Sequence, residues 1–152
     1  TVNSAAVANP SLVSEIASKY GSQFVVVAID AKTVDDGSWR ITTHGGSRLT
    51  DIELFEWARR VQDLGAGEIL FTSMNHDGTR SGYPCDTYAA LASLLDIPVI
   101  ASGGAGSVKD IADVLTDGRA DAALAASIFH YGEITIDALK RQLSELNIPV
   151  RL

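Results

Sequence analysis

The sequence contains a single cysteine, Cys85, so no disulfide can form within the chain. A chain without internal disulfides is typical of a reducing compartment, and we therefore expect a cytoplasmic protein. No apolar stretch approaches the roughly 20 residues that a membrane-spanning helix needs. No signal peptide is visible either. The chain starts Thr1-Val2-Asn3 without methionine, from which we expect a cut or processed chain.

Positive charge and metal-ligand patterns are also scarce. The 12 Lys and Arg are outnumbered by 19 Asp and Glu, which gives a formal net charge of −7. The basic residues are scattered, and this disfavours a nucleic-acid surface, which needs a basic patch. His44, His76 and His130 lack the close spacing of a zinc site, so we expect no bound metal.

The sequence does contain a repeated alternation of strand and helix patterns. Dense apolar runs predict four strands, at residues 23–30, 68–73, 98–102 and 122–128. Apolar residues at helical spacing follow them, and the segment 50–53, Thr-Asp-Ile-Glu, has the pattern of a capping box that begins a helix. Residues 1–4 are typical of the end of a preceding strand. Repeated strand–helix units predict right-handed crossovers and a parallel sheet.

The connections differ in length at the two ends of the predicted sheet. The loops that follow the strands are long and rich in glycine, whereas the return connections at residues 65–67 and 118–120 are short. This asymmetry is typical of a (β/α)8 barrel, which needs eight strands and about 200–250 residues. Four complete strands plus the end of a preceding one account for half of it. We therefore predict an α/β fold, the C-terminal half of a (β/α)8 TIM barrel, with residues 1–152 as one half-barrel unit.

Asp30 ends the first apolar run, Gln23-Phe24-Val25-Val26-Val27-Ala28-Ile29. A carboxylate at the carboxyl end of a buried parallel strand lies where such folds carry their chemistry. An aspartate that hydrogen-bonds its own turn is an equally good explanation from the residues alone. The sequence thus supports catalysis and turn chemistry at Asp30 about equally.

Small residues at two later strand ends favour an anion site. The segment Ser102-Gly103-Gly104-Ala105-Gly106-Ser107 leads from a strand into a helix, so backbone N–H groups and the helix N-terminus can face an anion. Ala126 and Ser127 would add an amide and a hydroxyl at the next strand. A plain glycine turn explains the first segment about as well. Asn3 and Ser4 form a weaker second candidate.

Seven short motifs, in order along the whole chain, resemble one family. They are Asn3-Ser4-Ala5-Ala6, Val26-Val27-Ala28-Ile29-Asp30-Ala31-Lys32, Thr43-His44-Gly45-Gly46, Gly65-Ala66-Gly67-Glu68-Ile69-Leu70, Asp77-Gly78-Thr79, Ala101-Ser102-Gly103-Gly104-Ala105-Gly106 and Ala122-Ala123-Leu124-Ala125-Ala126-Ser127. Together they resemble the cyclase subunit of imidazole glycerol phosphate synthase, from histidine biosynthesis. The resemblance covers only the C-terminal half to two-thirds of the family protein.

The resemblance implies specific roles for residues of this chain. Asp30 matches one of two catalytic aspartates, and the other lies on a first strand that is absent here. Glu68 matches a glutamate of the gate through which ammonia from a glutaminase subunit enters the barrel. The substrate is a bis-phosphorylated aminoimidazole carboxamide ribonucleotide, and the chemistry requires no cofactor. Asn3 and Ser4 match one phosphate site, and the other comprises Asp77, Gly78, Gly103, Gly104, Ala126 and Ser127.

Two other functions fit the sequence. The sister phosphoribosyl isomerase of the same pathway shares the two-phosphate barrel, although the His44-Gly45-Gly46 loop favours the cyclase. A non-catalytic half-barrel that binds phosphate and self-associates is the second, because the first catalytic aspartate is missing. On this account the isolated chain is expected to be inactive.

Overall fold

The computed structural model describes residues 1–152. Six strands form one sheet: β1 (Val26–Thr33), β2 (Trp39–Thr43), β3 (Arg48–Glu53), β4 (Glu68–Ser73), β5 (Val99–Ser102) and β6 (Ala122–Ala123). Seven helices accompany it: α1 (Ser4–Ala8), α2 (Ser11–Tyr20), α3 (Leu54–Asp63), α4 (Cys85–Leu94), α5 (Val108–Thr116), α6 (Ser127–His130) and α7 (Ile136–Glu145). None of these helices combines the length and the apolar character needed to cross a membrane.

The sheet has the order β3-β2-β1-β4-β5-β6. Strands β1, β4, β5 and β6 run parallel, and β2 and β3 continue the sheet beyond β1 as antiparallel neighbours. Val2 forms a parallel bridge to Val27, so the residues expected to end a preceding strand do lie beside β1. The predicted α/β fold with a mostly parallel sheet is therefore confirmed.

Three predicted boundaries were wrong. The first strand does not end at Asp30, because pairing with β2 carries β1 on to Thr33. Residues 50–53 do not begin a helix: the Thr50 hydroxyl donates to the Ile41 carbonyl across β2 and β3, and Glu53 alone caps α3. The last strand is only two residues long, since the chain turns into α6 at Ser127.

One face of the sheet carries the hydrophobic core. Side chains alternate along a strand, and on this face β1 contributes Val27, Ile29 and Ala31, all buried. Phe71 of β4 packs there against the ring of Tyr88, with 5.0 Å between ring centroids. Helices α3, α4 and α5 cover this face through contacts with β1, β5 and β6 respectively.

The opposite face has no helix over it. The alternate residues of the parallel strands, Val26, Ala28, Leu70 and Ile100, are only half-buried on this face. Leu124, just beyond β6, is 43% exposed. An uncovered apolar face and two free strand edges favour association with another polypeptide. We call this uncovered face of the parallel strands the open face.

We expect the isolated chain to self-associate through the open face, most simply as a dimer. Leu70→Asp should shift sedimentation at micromolar concentration towards the monomer, because the carboxylate would have to be desolvated between the two copies. Leu146→Asp is the matched control, since Leu146 is 57% exposed beyond the end of α7 and away from the sheet. A parent chain that sediments as a stable monomer would contradict this expectation.

Candidate functional site

Asp30 lies at the carboxyl end of the parallel part of β1. Its partner on β4 is Thr72, and the parallel pairing stops one residue later, at Ala31 and Ser73. The Asp30 side chain is half-buried, and its register places it on the open face. Its carbonyl oxygen accepts a hydrogen bond from the Thr42 hydroxyl (3.1 Å). Asp30 is thus held by strand pairing on both sides and is not a turn residue.

The carboxylate of Asp30 is contacted by Asn3. Asn3 Nδ2 donates to Asp30 Oδ2 at 3.0 Å. This contact fixes the orientation of the amide, because the opposite orientation would set two oxygens against each other. Asn3 Oδ1 is consequently buried without a hydrogen-bond partner. The Ser4 hydroxyl points elsewhere and accepts from the His44 backbone N–H (2.9 Å). The two residues predicted to bind one phosphate therefore lie beside Asp30 and the β2–β3 turn.

A small cavity of about 100 Å³ opens where β5 and β6 end. Six of the predicted phosphate residues line it, although they come from three separate segments of the chain. The full lining is Asp77, Gly78, Ser102, Gly103, Gly104, Ala105, Leu124, Ala125, Ala126 and Ser127. Ser102 and Ala105 belong to the segment that the sequence suggested for an anion, whereas Leu124 and Ala125 were not among the predicted site residues and directly precede Ala126.

Two glycines allow this cavity to form. Gly104 has φ 128°, and a Cβ there would lie 2.2 Å from the Gly82 carbonyl oxygen. Gly103 has φ 83°, and its Cβ would lie 2.6 Å from the Ser73 carbonyl oxygen. The loop after β4 can therefore pack onto the end of β5 only if both residues are glycine. None of the backbone N–H groups of Gly103, Gly104, Ala126 and Ser127 donates to a backbone carbonyl, so these donors are available to an anion.

The N-terminus of α5 does not contribute as the sequence suggested. Ser107 caps this helix by accepting from the Asp110 N–H (3.2 Å). The Asp110 carboxylate in turn accepts from the Gly106 N–H (3.0 Å) and from the Ser107 hydroxyl (2.9 Å). A carboxylate of the chain itself thus occupies the position that an external anion would take. The available N–H donors are those of the glycine segment and of residues 126 and 127.

Glu68 lies at the other end of the open face. It is the first residue of β4 and pairs with Val26, so it shares the face of Asp30. Four residue steps along the strands separate these two rows, which is roughly 13 Å. Glu68 is half-buried, and its carboxylate forms no ion pair.

Two buried tyrosines that sequence reasoning missed hold the strand ends. The Tyr88 hydroxyl lies within donating distance of the carbonyl oxygens of Phe71 (2.9 Å) and Ser102 (2.8 Å), and it accepts from the Ser102 N–H (3.1 Å). The Tyr83 hydroxyl donates to the Leu124 carbonyl (2.8 Å). Burial raises the pKa of both phenols, so they remain protonated donors. In the sequence, the two tyrosines are marked only by their positions, at the end of the loop after β4 and in the helix that follows it.

Cys85 is not set up as a nucleophile. Burial raises the pKa of its thiol, and the carboxylates of Asp113, Asp117 and Asp86 raise it further. The thiolate is therefore disfavoured at neutral pH.

Comparison with known proteins identifies the family. The family model described as "Histidine biosynthesis protein" matches residues 1–135. The chain belongs to this family. It is also 52% identical over 151 residues to the imidazole glycerol phosphate synthase subunit HisF of Alkaliphilus metalliredigens (strain QYMF). That match covers 99% of this chain and 60% of the relative, so the chain spans about three-fifths of the length of the relative. The resemblance to the cyclase subunit is thereby confirmed.

Loss of the Tyr88 hydroxyl should destabilise the chain. Tyr88→Phe removes the hydrogen bonds that this buried hydroxyl makes to the Phe71 and Ser102 carbonyls, which costs about 0.5–1.5 kcal/mol of unfolding free energy. Thermal or urea unfolding would measure it. Tyr20→Phe is the control, because Tyr20 is 52% exposed and its hydroxyl forms no hydrogen bond. Equal stability of the Tyr88→Phe and parent proteins would show that these strand ends do not depend on the hydroxyl.

Proposed function

We propose that this chain is the C-terminal half of a (β/α)8 cyclase barrel. In the complete barrel, ammonia from a glutaminase subunit would close the imidazole ring of a bis-phosphorylated aminoimidazole carboxamide ribonucleotide. The products would be imidazole glycerol phosphate and aminoimidazole carboxamide ribonucleotide. The 52% identity to a synthase subunit supports this assignment over the sister isomerase. Such a biosynthetic enzyme would act in the cytoplasm.

The observation that carries the proposal is the lining of the cavity at the ends of β5 and β6. Residues 77–78, 103–104 and 126–127 are far apart in sequence, yet all six border one cavity of about 100 Å³. Together they bring backbone donors and a hydroxyl to a space suited to a phosphate group. A chance glycine turn would not bring the other four residues to the same place.

The separation of the two phosphate sites suits a long substrate. Asn3 and Ser4 lie beside β1, whereas the cavity lies at β5 and β6, two to three strands away. With neighbouring strands about 4.8 Å apart, the two sites would be roughly 10–14 Å from each other. A substrate held at both phosphates would thus place its central atoms over the carboxyl ends of β1 and β4. Holding the reacting atoms in this way supplies much of the rate enhancement.

Asp30 would act as the general acid in ring closure. When ammonia adds to a carbonyl carbon and water is lost, the departing oxygen needs a proton, and a positioned carboxylic acid can supply it. Asn3 would hold the carboxyl group in position through its amide N–H. Glu68, at the amino end of the same face, would belong to the gate through which ammonia enters.

A second candidate function is a non-catalytic phosphate-binding module. The open face favours it, because a chain with an uncovered sheet face can bind phosphate at β5 and β6 and associate with itself without performing chemistry. The two candidates differ in whether Asp30 matters for turnover once the barrel is complete.

The phosphate site can be tested in the chain as it stands. Inorganic phosphate should raise the melting temperature. A phosphate concentration of 100 times the dissociation constant adds about 2.7 kcal/mol to the free energy of unfolding. Ala126→Asp should abolish this rise, because Ala126 is exposed and a carboxylate there would repel the anion without filling the core. Ala126→Asn is the isosteric neutral control and should keep the rise. If Ala126→Asp responds to phosphate like the parent, the anion binds elsewhere.

Catalysis can be tested by supplying the missing half. The isolated chain should show little or no cyclase activity with ammonium salts, and addition of a family N-terminal half-barrel should restore it. Asp30→Asn should then lower turnover by about 10²–10⁴-fold, the usual loss for a positioned acid. Its response to inorganic phosphate should be unchanged.

The matched control is Asp51→Asn, since Asp51 is an exposed aspartate of β3. It should leave turnover at the level of the complemented parent. A complemented Asp30→Asn protein that turns over at nearly the parental rate would rule out Asp30 as the acid. Phosphate binding without activity in any complemented barrel would favour the non-catalytic module.

A further inference from the structure

The phosphate cavity has two rims that belong to different parts of the chain. One rim is the loop after β4, which contributes Asp77 and Gly78. The other is the start of α6, which contributes Ala126 and Ser127. Neither rim belongs to the parallel ladder, so the width of the cavity depends on what joins them.

Arg80 joins the two rims directly. Its Nη2 donates to Glu133 Oε1 at 2.6 Å, across 53 positions of sequence. Its guanidinium carbon also lies 5.9 Å from the centroid of the Tyr131 ring, which is within cation–π distance. Arg80 and Glu133 are both 40% exposed in their side chains.

Backbone hydrogen bonds between residues close in sequence connect each end of this contact to its rim. On one side, the N–H groups of Tyr131 and Glu133 donate to the carbonyls of Ser127 (2.9 Å) and Ile128 (3.0 Å). On the other side, the Thr79 N–H donates to the His76 carbonyl (3.0 Å), next to Asp77. A displacement of Arg80 or Glu133 would therefore be transmitted to residues that line the cavity.

The backbone conformation of Arg80 is also unusual. Arg80 has φ 59°, a left-handed conformation that residues with a Cβ rarely adopt. A Cβ at Gly106 would lie 2.6 Å from the Arg80 carbonyl oxygen, so the loop rests directly on the segment that follows the cavity. The chain thus accepts an unfavourable backbone conformation where the guanidinium crosses to Glu133 and Tyr131.

We propose that Arg80, Glu133 and Tyr131 form a clasp that holds the two rims together and so sets the phosphate affinity of the cavity. Arg80 and Glu133 are then positioning residues for substrate binding. This inference rests on the proposed function, because it assumes that the cavity takes a phosphate. The other ion pair of the chain, Lys109 with Asp113, joins two positions of one helix and could not serve this purpose.

The decisive variant is Glu133→Gln. Removal of a negative charge near an anion site should by simple electrostatics tighten phosphate binding. The clasp predicts the reverse, because the rims lose their connection. We expect the dissociation constant for inorganic phosphate to rise about threefold, the scale of an exposed ion pair with a ring contact. Arg80→Ala should weaken binding at least as much, and Arg80→Lys, which keeps the ion pair, should recover part of the loss.

Hydrogen exchange without phosphate separates the clasp from the phosphate site. Backbone amides of residues 76–82 should exchange faster in Arg80→Ala and in Glu133→Gln, and the double variant should be no worse than either single variant. Lys109→Ala is the control, since it breaks an exposed ion pair away from the cavity and should change neither readout.

The results that would overturn the clasp are specific. They are unchanged loop exchange, tighter or unchanged phosphate binding in Glu133→Gln, or additive effects of the two variants. A parent chain that binds no phosphate would instead contradict the proposed function. The clasp would then be judged by loop exchange alone, and equal exchange in parent and variants would overturn it.

Discussion

The register between β1 and β4 determines where the two candidate functional carboxylates lie. Val26 pairs with Glu68 and Asp30 with Thr72, so both carboxylates lie on the open face, at opposite ends. Because strand side chains alternate, a slip of β1 by one residue would bury Asp30 under the helices and expose Val27 and Ile29, and a slip of β4 would bury Glu68. Burial of an unpaired carboxylate would be very costly, and the register is correspondingly well specified. The order of apolar and polar residues in two strands thus fixes the geometry of the candidate active site.

The phosphate cavity depends on backbone contacts more than on charged side chains. The loop after β4 rests on β5 because the Gly82 N–H donates to the Gly104 carbonyl at 2.9 Å, and glycine at 103 and 104 leaves room for the approach. Asp110 occupies the N-terminus of α5, so that helix does not compete for the anion. Recognition would then come from backbone N–H groups whose positions the fold determines.

Much of this arrangement could be predicted from local sequence patterns. Strand β4 has the predicted bounds, residues 68–73. Two of the three wrong boundaries share a physical cause, which is a contact with β2 that overrides a local signal. Thr50 has a capping pattern, but its hydroxyl is used by β2.

The candidate site shows the same division between local and long-range information. The glycine segment and the Ala126-Ser127 pair were recognisable because their residue types suit a strand end. The contact between Asn3 and Asp30 was not, since it spans 27 positions and depends on where Val2 joins the sheet. Tyr88 had no such signal because its hydroxyl contacts the backbone of Phe71 and Ser102, which lie 17 and 14 positions away in sequence. The lining of the cavity comes entirely from this chain, whereas the sheet that carries Asp30 is covered by helices on one face only. The proposed phosphate binding and catalysis would therefore be separable properties of the fold, and a single chain could retain the first while it depended on another polypeptide for the second.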